Sequence, residues 1–327
     1  MKINDVIKKC IKIPGISIKQ AEYSMELILN TKEGKGSMTF FSLFPGLSLA
    51  YIFINSPTWT APDLRSDSSI TKGPLLLNYC VTGRCEMNNK NFVYIKDREL
   101  SLTECFAQKE YVYPKRIYEG LEFFIDIDTF TLENTWVQNE FSIDFRKISK
   151  MFCPHGSTYI STATHETEEI LKKLWELYDF PASFAVIQMK IYTLALFSVL
   201  QNLEAIPKSQ ACTFFTESQV NIAKKVENII TSDLRLHHPA WELAEYFSIS
   251  ETSLKNYFRG VYGQNISVYL REMRMNKAGE LLASTRLSVA EIAAQVGYLN
   301  QSKFASVFKK HFGVSPLEYR RTRHLDS

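Results

Sequence analysis

The sequence repeats itself near its C-terminal end, and this repeat limits the possible folds more than any other feature. Both copies have an apolar residue followed by alanine, a small residue four positions later, and two apolar residues four apart: Leu243, Ala244, Ser248, Leu254 and Phe258, then Ile292, Ala293, Gly297, Phe304 and Phe308. The copies lie 49 residues apart before the small residue and 50 after it, so one copy has an extra residue in or just after its turn. The C-terminal third is therefore predicted to contain one motif twice.

The spacing within each copy predicts a helix-turn-helix unit. The alanine lets a second helix cross closely over the first, and glycine at position 297 suits a turn that needs a positive φ. Phe304 and Phe308, four apart, face inward from the second helix, which leaves its opposite face free to enter a DNA major groove. Two plain helical hairpins in an all-helical core are the alternative.

A helix-length segment, 266–283, lies between the two copies. A helix of about 18 residues spans roughly 27 Å. We expect it to hold the two second helices about one turn of B-DNA apart, roughly 34 Å. A single chain would then read two successive major grooves.

Further residues extend the pattern across 216–323: Arg274, Ala278, Leu281, Leu282, Val296, Tyr298, Asn300, Gln301, Ser302, Lys303, Lys309, Lys310, Phe312, Gly313, Ser315, Pro316, Tyr319 and Arg320. With the second copy of the repeat, they resemble the DNA-binding domain of the AraC/XylS family of bacterial regulators. The resemblance implies a transcription regulator, more often an activator that recruits RNA polymerase than a repressor. The first copy departs from the family because Ser248 replaces the usual turn glycine.

The resemblance assigns base contacts to outward-facing residues of the two second helices, 250–261 and 301–311: Thr252, Lys255, Asn256, Gln301, Ser302, Lys303 and Ser306. Asn256 can pair with adenine through two hydrogen bonds, and Lys255 can donate to guanine. Short serine side chains read bases weakly, so we expect the first unit to specify the sequence and the second to anchor the domain. The expected phosphate contacts are Arg259, Lys309, Lys310, Arg320 and Arg321. A solvated cationic face is the alternative for Lys309 and Lys310.

Residues 1–160 are predicted to form a β-rich sensor domain. Apolar, aromatic and β-branched runs occupy 40–54, 75–81, 92–95, 100–105 and 121–127, with turn signals at Pro45-Gly46 and at 88–91. Short, closely spaced strands suggest a sandwich or a small barrel. The family resemblance implies a cupin-like β-barrel here, so the expected fold class is α+β with two domains.

Helical periodicity replaces the strand pattern in 161–203, where two amphipathic helices meet at Pro181. These helices either form a dimer seam or cover the sheet. The most apolar stretch, 184–200, contains Gln188 and Lys190, so we interpret it as a buried or dimer-forming helix rather than a membrane span. Residues 204–216 are the predicted linker, and Thr216 with Gln219 forms a capping box at the start of the DNA-binding domain, 217–327.

A β-barrel can hold a small effector in an apolar cavity with a few polar groups. The residues predicted to bind one are Arg84, Tyr94, Tyr113, Arg116, Tyr118 and Glu122. Arg84 and Arg116 could clamp a carboxylate or phosphate, and the tyrosines could stack on a sugar or ring. Ordinary surface ion pairs and core aromatic residues are the alternative.

No metal or other cofactor is expected, because residues 1–154 contain no histidine and the six cysteines include no C-x2-C pair. Residues 214–327 carry 15 Lys and Arg residues and 11 Asp and Glu residues, whereas the rest of the chain carries 23 and 24. The C-terminal part is thus the more basic one, which is compatible with nucleic-acid binding. With no signal peptide, we expect a cytoplasmic homodimer that binds double-stranded DNA and RNA polymerase.

Two alternative functions remain open. An alkylation-repair methyltransferase fused to this DNA-binding domain would need a cysteine cluster and a Pro-Cys-His-Arg loop, whereas residues 152–156 have a different order and no arginine. We therefore do not expect an enzyme. In the second alternative, the β domain of a regulator responds to a protein partner instead of a small ligand.

Overall fold

The computed structural model describes residues 14–60, 74–89, 91–104, 110–203 and 215–323. The chain divides into two compact units, Met1–Phe214 and Phe215–Ser327. Most of the predicted linker lies outside the described residues, and its last two residues, Phe215 and Thr216, belong to the second unit.

The described part of the first unit contains an eleven-stranded antiparallel sheet. Its strands are β1 (Ile16–Gln20), β2 (Met25–Asn30), β3 (Lys35–Phe44), β4 (Leu47–Asn55), β5 (Thr58–Thr60), β6 (Leu75–Asn89), β7 (Asn91–Lys96), β8 (Glu99–Glu104), β9 (Glu110–Val112), β10 (Ile117–Ile125) and β11 (Tyr159–Thr162). The main path runs β1-β2-β3-β4-β10-β6-β8-β11, and β5, β7 and β9 pair beside it. This confirms the predicted β-rich region and its turn at Pro45-Gly46, which joins β3 to β4.

The sheet curls where β6 passes from one set of partners to another. The first part of β6 pairs with β8 and β10, and its second part pairs with β7. Gly83 lies between these parts at φ +103°, and a Cβ atom there would lie 2.2 Å from the carbonyl oxygen of Ile117. Only glycine fits so close a backbone approach. The β6–β7 hairpin lies at the predicted turn, whose Lys90 is outside the described residues.

Five helices pack on one face of the sheet: α1 (Ile127–Glu133), α2 (Thr135–Phe141), α3 (Phe145–Phe152), α4 (His165–Glu176) and α5 (Ala182–Gln201). The ring of Phe123 in β10 meets that of Phe197 in α5 edge to face, with centroids 5.6 Å apart. The hydroxyl of Tyr51 in β4 donates to the carbonyl oxygen of Leu174 in α4. The helices therefore cover the sheet, which was one of the two predicted roles.

Helix α5 is apolar on more than its packed side. Met189 and Leu196 are buried in the core, whereas Phe184, Ile187 and Ile191 are 50%, 59% and 54% exposed. By length and composition alone this helix could span a membrane, which is weak evidence because core helices of soluble proteins meet the same criteria. Its buried side, packed on the sheet, agrees with the interpretation of a core helix that keeps one free apolar face.

The described part of the second unit contains seven helices: α6 (Glu217–Ser232), α7 (Ala240–Tyr246), α8 (Glu251–Tyr262), α9 (Ile266–Ser284), α10 (Val289–Gln295), α11 (Gln301–Phe312) and α12 (Pro316–Arg323). The predicted capping box starts α6, since the Gln219 amide donates to Thr216 Oγ1 and the Thr216 amide donates to Gln219 Oε1. Helices α7 and α8 form the first helix-turn-helix unit, α10 and α11 form the second, and α9 joins them. The β-rich N-terminal unit and the helical C-terminal unit together confirm the predicted α+β class.

Candidate nucleic-acid interface

The two helix-turn-helix units have matching turns. Ser248 and Gly297 both adopt left-handed backbone conformations, with φ of 54° and 81°. The Ile249 amide donates to the Ala244 carbonyl oxygen at 3.0 Å, and the Tyr298 amide donates to the Ala293 carbonyl oxygen at 2.8 Å. The serine of the first copy thus takes the conformation that the glycine takes in the second.

The extra residue of the repeat is Leu299. Ser250 caps α8 two residues after the first turn position, whereas Asn300 caps α11 three residues after the second. Because Ile249 and Tyr298 make equivalent hydrogen bonds, the additional residue falls between Tyr298 and the cap. The side chain of Leu299 is fully exposed.

The inward-facing pairs confirm the predicted orientation of both second helices. Leu254, Phe258, Phe304 and Phe308 are each 0% exposed. The rings of Phe304 and Phe308 lie 5.7 Å apart in a core that α9, α10 and α11 share. Each second helix consequently presents its opposite face to solvent.

All the predicted contact residues of α8 lie exposed on that helix: Thr252, Lys255, Asn256 and Arg259. The ammonium group of Lys255 pairs with the carboxylate of Glu251 one turn earlier. An exposed i,i+4 pair of this kind stabilises a helix by only about 0.3–0.5 kcal/mol. The pair is weak enough for Lys255 to exchange Glu251 for another anionic partner.

The predicted base contacts on α11 are exposed as well: Gln301, Ser302, Lys303 and Ser306. Lys309 and Lys310 are exposed in the last turn of this helix. Cations at a helix C-terminus interact favourably with the helix dipole. This placement stabilises α11 and is compatible with both predicted roles of the two lysines.

Arg320, one of the predicted phosphate contacts, is partly engaged within the protein. Its guanidinium is half-buried and donates to the carbonyl oxygen of Leu287 at 2.6 Å. Its Nε atom is buried without a hydrogen-bond partner among the described residues. Arg320 therefore ties α12 to the segment before α10, while its neighbour Arg321 is exposed.

Arg274 of α9 connects the two helix-turn-helix units. Its Nε atom donates to the Leu234 carbonyl oxygen at 2.8 Å, and its Nη2 atom donates to the Leu236 carbonyl oxygen at 3.1 Å. On the other side, its guanidinium carbon lies 5.8 Å from the ring centre of Tyr298. A Cβ atom on Gly297 would lie 2.6 Å from the Leu234 carbonyl oxygen and 2.9 Å from Arg274. The turn of the second unit is thus packed directly on the segment that precedes the first.

A cleft of about 1060 Å³ opens between the two second helices. Six basic side chains line it: His237, His238, Lys255, Arg271, Arg274 and Lys303. Its lining includes no carboxylate side chain. The positions of His237, His238 and Arg271 were not predicted from the sequence, where the one signal is a pair of histidines just before Pro239, ahead of the first helix-turn-helix unit.

In the N-terminal compact unit, Met1–Phe214, the structure brings three of the predicted ligand residues together. The rings of Tyr113 and Tyr118 lie 5.3 Å apart, and the Tyr118 hydroxyl donates to Asn78 Oδ1 at 2.6 Å. Asn78 also hydrogen-bonds Glu122. Burial raises the pKa of Glu122 to about 7, although the Asn78 hydrogen bond lowers it. Asn78 could have been found as the polar residue within the apolar run of β6.

Arg84 and Arg116 have separate partners. Arg84 is buried, and its guanidinium carbon lies 5.0 Å from the ring centre of Tyr94, whose hydroxyl donates to Glu86 Oε2 at 2.7 Å. Arg116 is exposed and donates to the carbonyl oxygen of Glu33. The two arginines are therefore engaged at different places, and this geometry gives no support to a two-arginine clamp.

The described residues include no cluster of three or more His, Cys, Asp or Glu side chains that could hold a metal ion. Cys153, the residue that a methyltransferase would need as nucleophile, is buried, and burial raises the pKa of its thiol to about 12. The thiolate is the reactive form of cysteine. The environment of Cys153 therefore disfavours nucleophilic chemistry.

Two helix-turn-helix units joined by one helix define a class of DNA-binding domain, and known proteins contain similar sequences. The profile of a family described as "Helix-turn-helix domain" matches residues 243–322. The chain is 30% identical to the HTH-type transcriptional activator CfaD of Escherichia coli, over 53% of this chain and 62% of CfaD. It is 32% identical to the transcriptional regulator SirC of Salmonella typhimurium, over 38% of this chain and 43% of SirC.

Among solved structures, the C-terminal domain of AraT from Geobacillus stearothermophilus is 37% identical over 31% of this chain and 85% of that one, with a TM-score of 0.30. The C-terminal unit contains a helix-turn-helix domain over residues 243–322. The chain spans about half the length of the curated relatives that it matches.

Proposed function

We propose that the chain is a DNA-binding transcription regulator that places α8 and α11 in successive major grooves. The observation that carries this proposal is the pair of matching turns, each followed by a helix with a buried inner face and an exposed polar outer face. One helix, α9, joins the two units, and Arg274 packs them together. Such an arrangement suits one face of a duplex, where equivalent major-groove positions recur about every 34 Å.

The two recognition helices have different tasks in this proposal. Helix α8 carries Lys255 and Asn256, which can donate to guanine and form a bidentate pair with adenine. Helix α11 carries Ser302 and Ser306, whose short side chains discriminate bases less, and ends in Lys309 and Lys310. The first unit therefore specifies the sequence and the second anchors through phosphates, with Arg259 and Arg321 adding to the anchor.

The test is a titration of the full chain onto the DNA upstream of its own gene, at several salt concentrations. We expect sequence-specific binding whose affinity falls steeply with salt, since phosphate contacts release counterions. The absence of specific binding to this DNA and to genomic fragments, with and without cell extract as a source of effector, would reject the proposal.

We also propose that the chain forms a homodimer through α5. Phe184, Ile187 and Ile191 form a stripe at helical spacing that carries no charge and is about half exposed. The same stripe on a second copy is self-complementary, as a two-fold interface requires. Sedimentation of Ile187→Glu should show a monomer where the unmodified chain is a dimer, and a monomeric unmodified chain would reject this interface.

Regulation by a small effector rests on the buried polar group of Asn78, Tyr118 and Glu122. With a pKa of about 7, Glu122 can both donate and accept a hydrogen bond near neutral pH. A polar effector that replaces these contacts would be stabilised in the sheet interior. Calorimetric titration with cell metabolite fractions tests this, with Glu122→Gln as the control variant. If no metabolite fraction binds and a specific protein does, regulation by a protein partner takes the place of regulation by a small effector.

The relatives named above are transcription regulators, and we assign no enzymatic activity to this chain. The proposed partners are double-stranded DNA and RNA polymerase, which place its action in the cytoplasm. Transcription in vitro from the bound promoter decides between activation, which we propose, and repression.

A further inference from the structure

The basic cleft between the recognition helices is the strongest feature that the proposed function does not use. His237 and His238 come from the segment before α7, Arg271 and Arg274 come from α9, and Lys255 and Lys303 come from the two recognition helices. The four lysine and arginine side chains among them carry like charges that repel one another, so their convergence disfavours the free protein unless an anion neutralises them. The arrangement therefore indicates an anionic ligand.

Nearby carboxylates leave most of this charge uncompensated. Glu251 pairs with Lys255, and Asp233 forms an ion pair of 2.6 Å with Arg235 and also interacts with His238. Arg271 is exposed and, among the described residues, forms no ion pair with a carboxylate. The Nε2 atom of His238 is buried and has no hydrogen-bond partner among the residues that the structure describes.

The backbone adds donors at the same place. Helix α9 starts in the cleft with Asn265, Ile266 and Ser267, and the Asn265 side chain makes no capping hydrogen bond. The first amide groups of a helix have no partner within the helix, and its N-terminus carries partial positive charge. Such a terminus among basic side chains is suited to phosphate.

The position of the cleft selects the source of that phosphate. Lys255 and Lys303 belong to the two recognition helices and both line the cleft, so it opens on the side that carries both helices. When the helices occupy successive major grooves on one face of a duplex, the minor groove and its two flanking sugar–phosphate strands lie between them. We infer that the cleft binds these intervening phosphates, with Arg271 and His237 as contact residues. This inference rests on the proposed function.

Arg274 acts differently within the same cleft. Its guanidinium already donates to the carbonyl oxygens of Leu234 and Leu236 and lies over Tyr298. It holds the cleft walls at their separation, so it is a positioning residue rather than a phosphate contact. The test variants therefore leave Arg274 unchanged.

The test uses the full chain and a duplex that contains its footprinted site. Arg271→Ala should bind severalfold more weakly at every sequence tested, and its plot of log affinity against log salt should be shallower by about 0.9 for one lost phosphate. His237→Gln should show a smaller loss in the same direction. Lys277→Ala is the matched control, because Lys277 is exposed on the same helix, pairs with Glu280 and does not line the cleft.

Neutral methylphosphonates placed between the two recognition sites locate the contact. They should weaken binding of the unmodified chain severalfold, weaken binding of Arg271→Ala much less, and have their full effect on Lys277→Ala. Thermal unfolding checks that each variant is folded.

If the chain binds DNA specifically but Arg271→Ala keeps the salt slope of the unmodified chain and the full methylphosphonate effect, the cleft inference fails and the proposed function stands. If the unmodified chain binds no DNA specifically, the proposed function fails and the inference fails with it. Competition by free inorganic phosphate, without any effect of the methylphosphonates, would reassign the cleft to a small anion.

Discussion

The first helix-turn-helix unit has a serine at its left-handed turn position, whereas the second has a glycine at the equivalent position. Ser248 is exposed, so its side chain points into space that no other group needs. Gly297 lies against the Leu234 carbonyl oxygen and Arg274, where a Cβ atom would meet both within 3 Å. The comparison indicates that the turn conformation alone tolerates a side chain, and that the contact between the units is what requires glycine.

The exposed outer faces of the two helix-turn-helix units also differ. Helix α8 presents Lys255 and Asn256, which have strong base preferences, and α11 presents two serines and ends in two lysines. In the proposed function, the unit with the less typical turn thus carries the more discriminating surface. Packing constraints and base recognition act on different residues of the same motif, so the two copies can diverge independently.

The largest effect is expected from Gly297→Ala. The left-handed conformation costs an alanine about 1–2 kcal/mol, and the clash adds to it, so the unfolding free energy should fall by about 3 kcal/mol. Urea unfolding of the full chain, followed by circular dichroism, measures the loss. Ser248→Ala is the matched control and should change stability little, because its φ is equally left-handed but its side chain is free. Equal losses at both positions would contradict the distinction.

Arg274→Met should lower stability by about 2 kcal/mol, since it leaves two carbonyl oxygens without a charged donor. Its hydrophobic side chain keeps much of the packing on Tyr298, so the variant should still fold. We expect DNA binding to weaken beyond the stability loss, because the two units are no longer held at a fixed separation. A variant with unchanged affinity for DNA would show that Arg274 does not set this separation.

Asn256→Ala should reduce discrimination at one base pair by about 1.5 kcal/mol, within the range for a lost bidentate contact. Ser306→Ala, the counterpart test in the second helix-turn-helix unit, should change affinity little and base preference much less than Asn256→Ala does. Binding to a library of sites with single base changes measures both. A larger loss of discrimination from Ser306→Ala would reverse the roles of the two units.

Ser248→Gly should raise the unfolding free energy by about 1 kcal/mol, because glycine adopts the left-handed conformation without the steric cost. The substitution would make the first turn resemble the second. DNA affinity should stay the same, as Ser248 precedes the recognition helix and is not among the predicted contacts. Thermal unfolding checks the gain, and a destabilised variant would show that the serine side chain has a structural partner.

Features set by neighbouring residues could be predicted from the sequence. The capping box of Thr216 and Gln219, the inward-facing Phe304 and Phe308, and the bounds of α9 follow from local spacing and hydrophobic periodicity. The exposure of the predicted contacts on α8 and α11 follows from the same periodicity.

Features that depend on long-range contacts could not be predicted. Arg320 resembles a phosphate anchor in the sequence, yet it donates to Leu287, which lies 33 residues earlier. His237 and His238 come from the segment before α7 and Arg271 comes from α9, so they line one cleft only when these two parts of the chain are packed together. The spacing of residues in one sequence does not show which distant residues come into contact. For the same reason, the separate partners of Arg84 and Arg116 could not be predicted.

Hydroxyl-radical footprinting of the full chain on its own upstream DNA tests the central claim most directly. Two recognition helices in successive major grooves predict protected backbone patches repeated about one helical turn apart on a single face of the duplex. Asn256→Ala should leave this pattern in place while relaxing the sequence that is bound. Protection of a single groove, or of patches on opposite faces, would contradict the account.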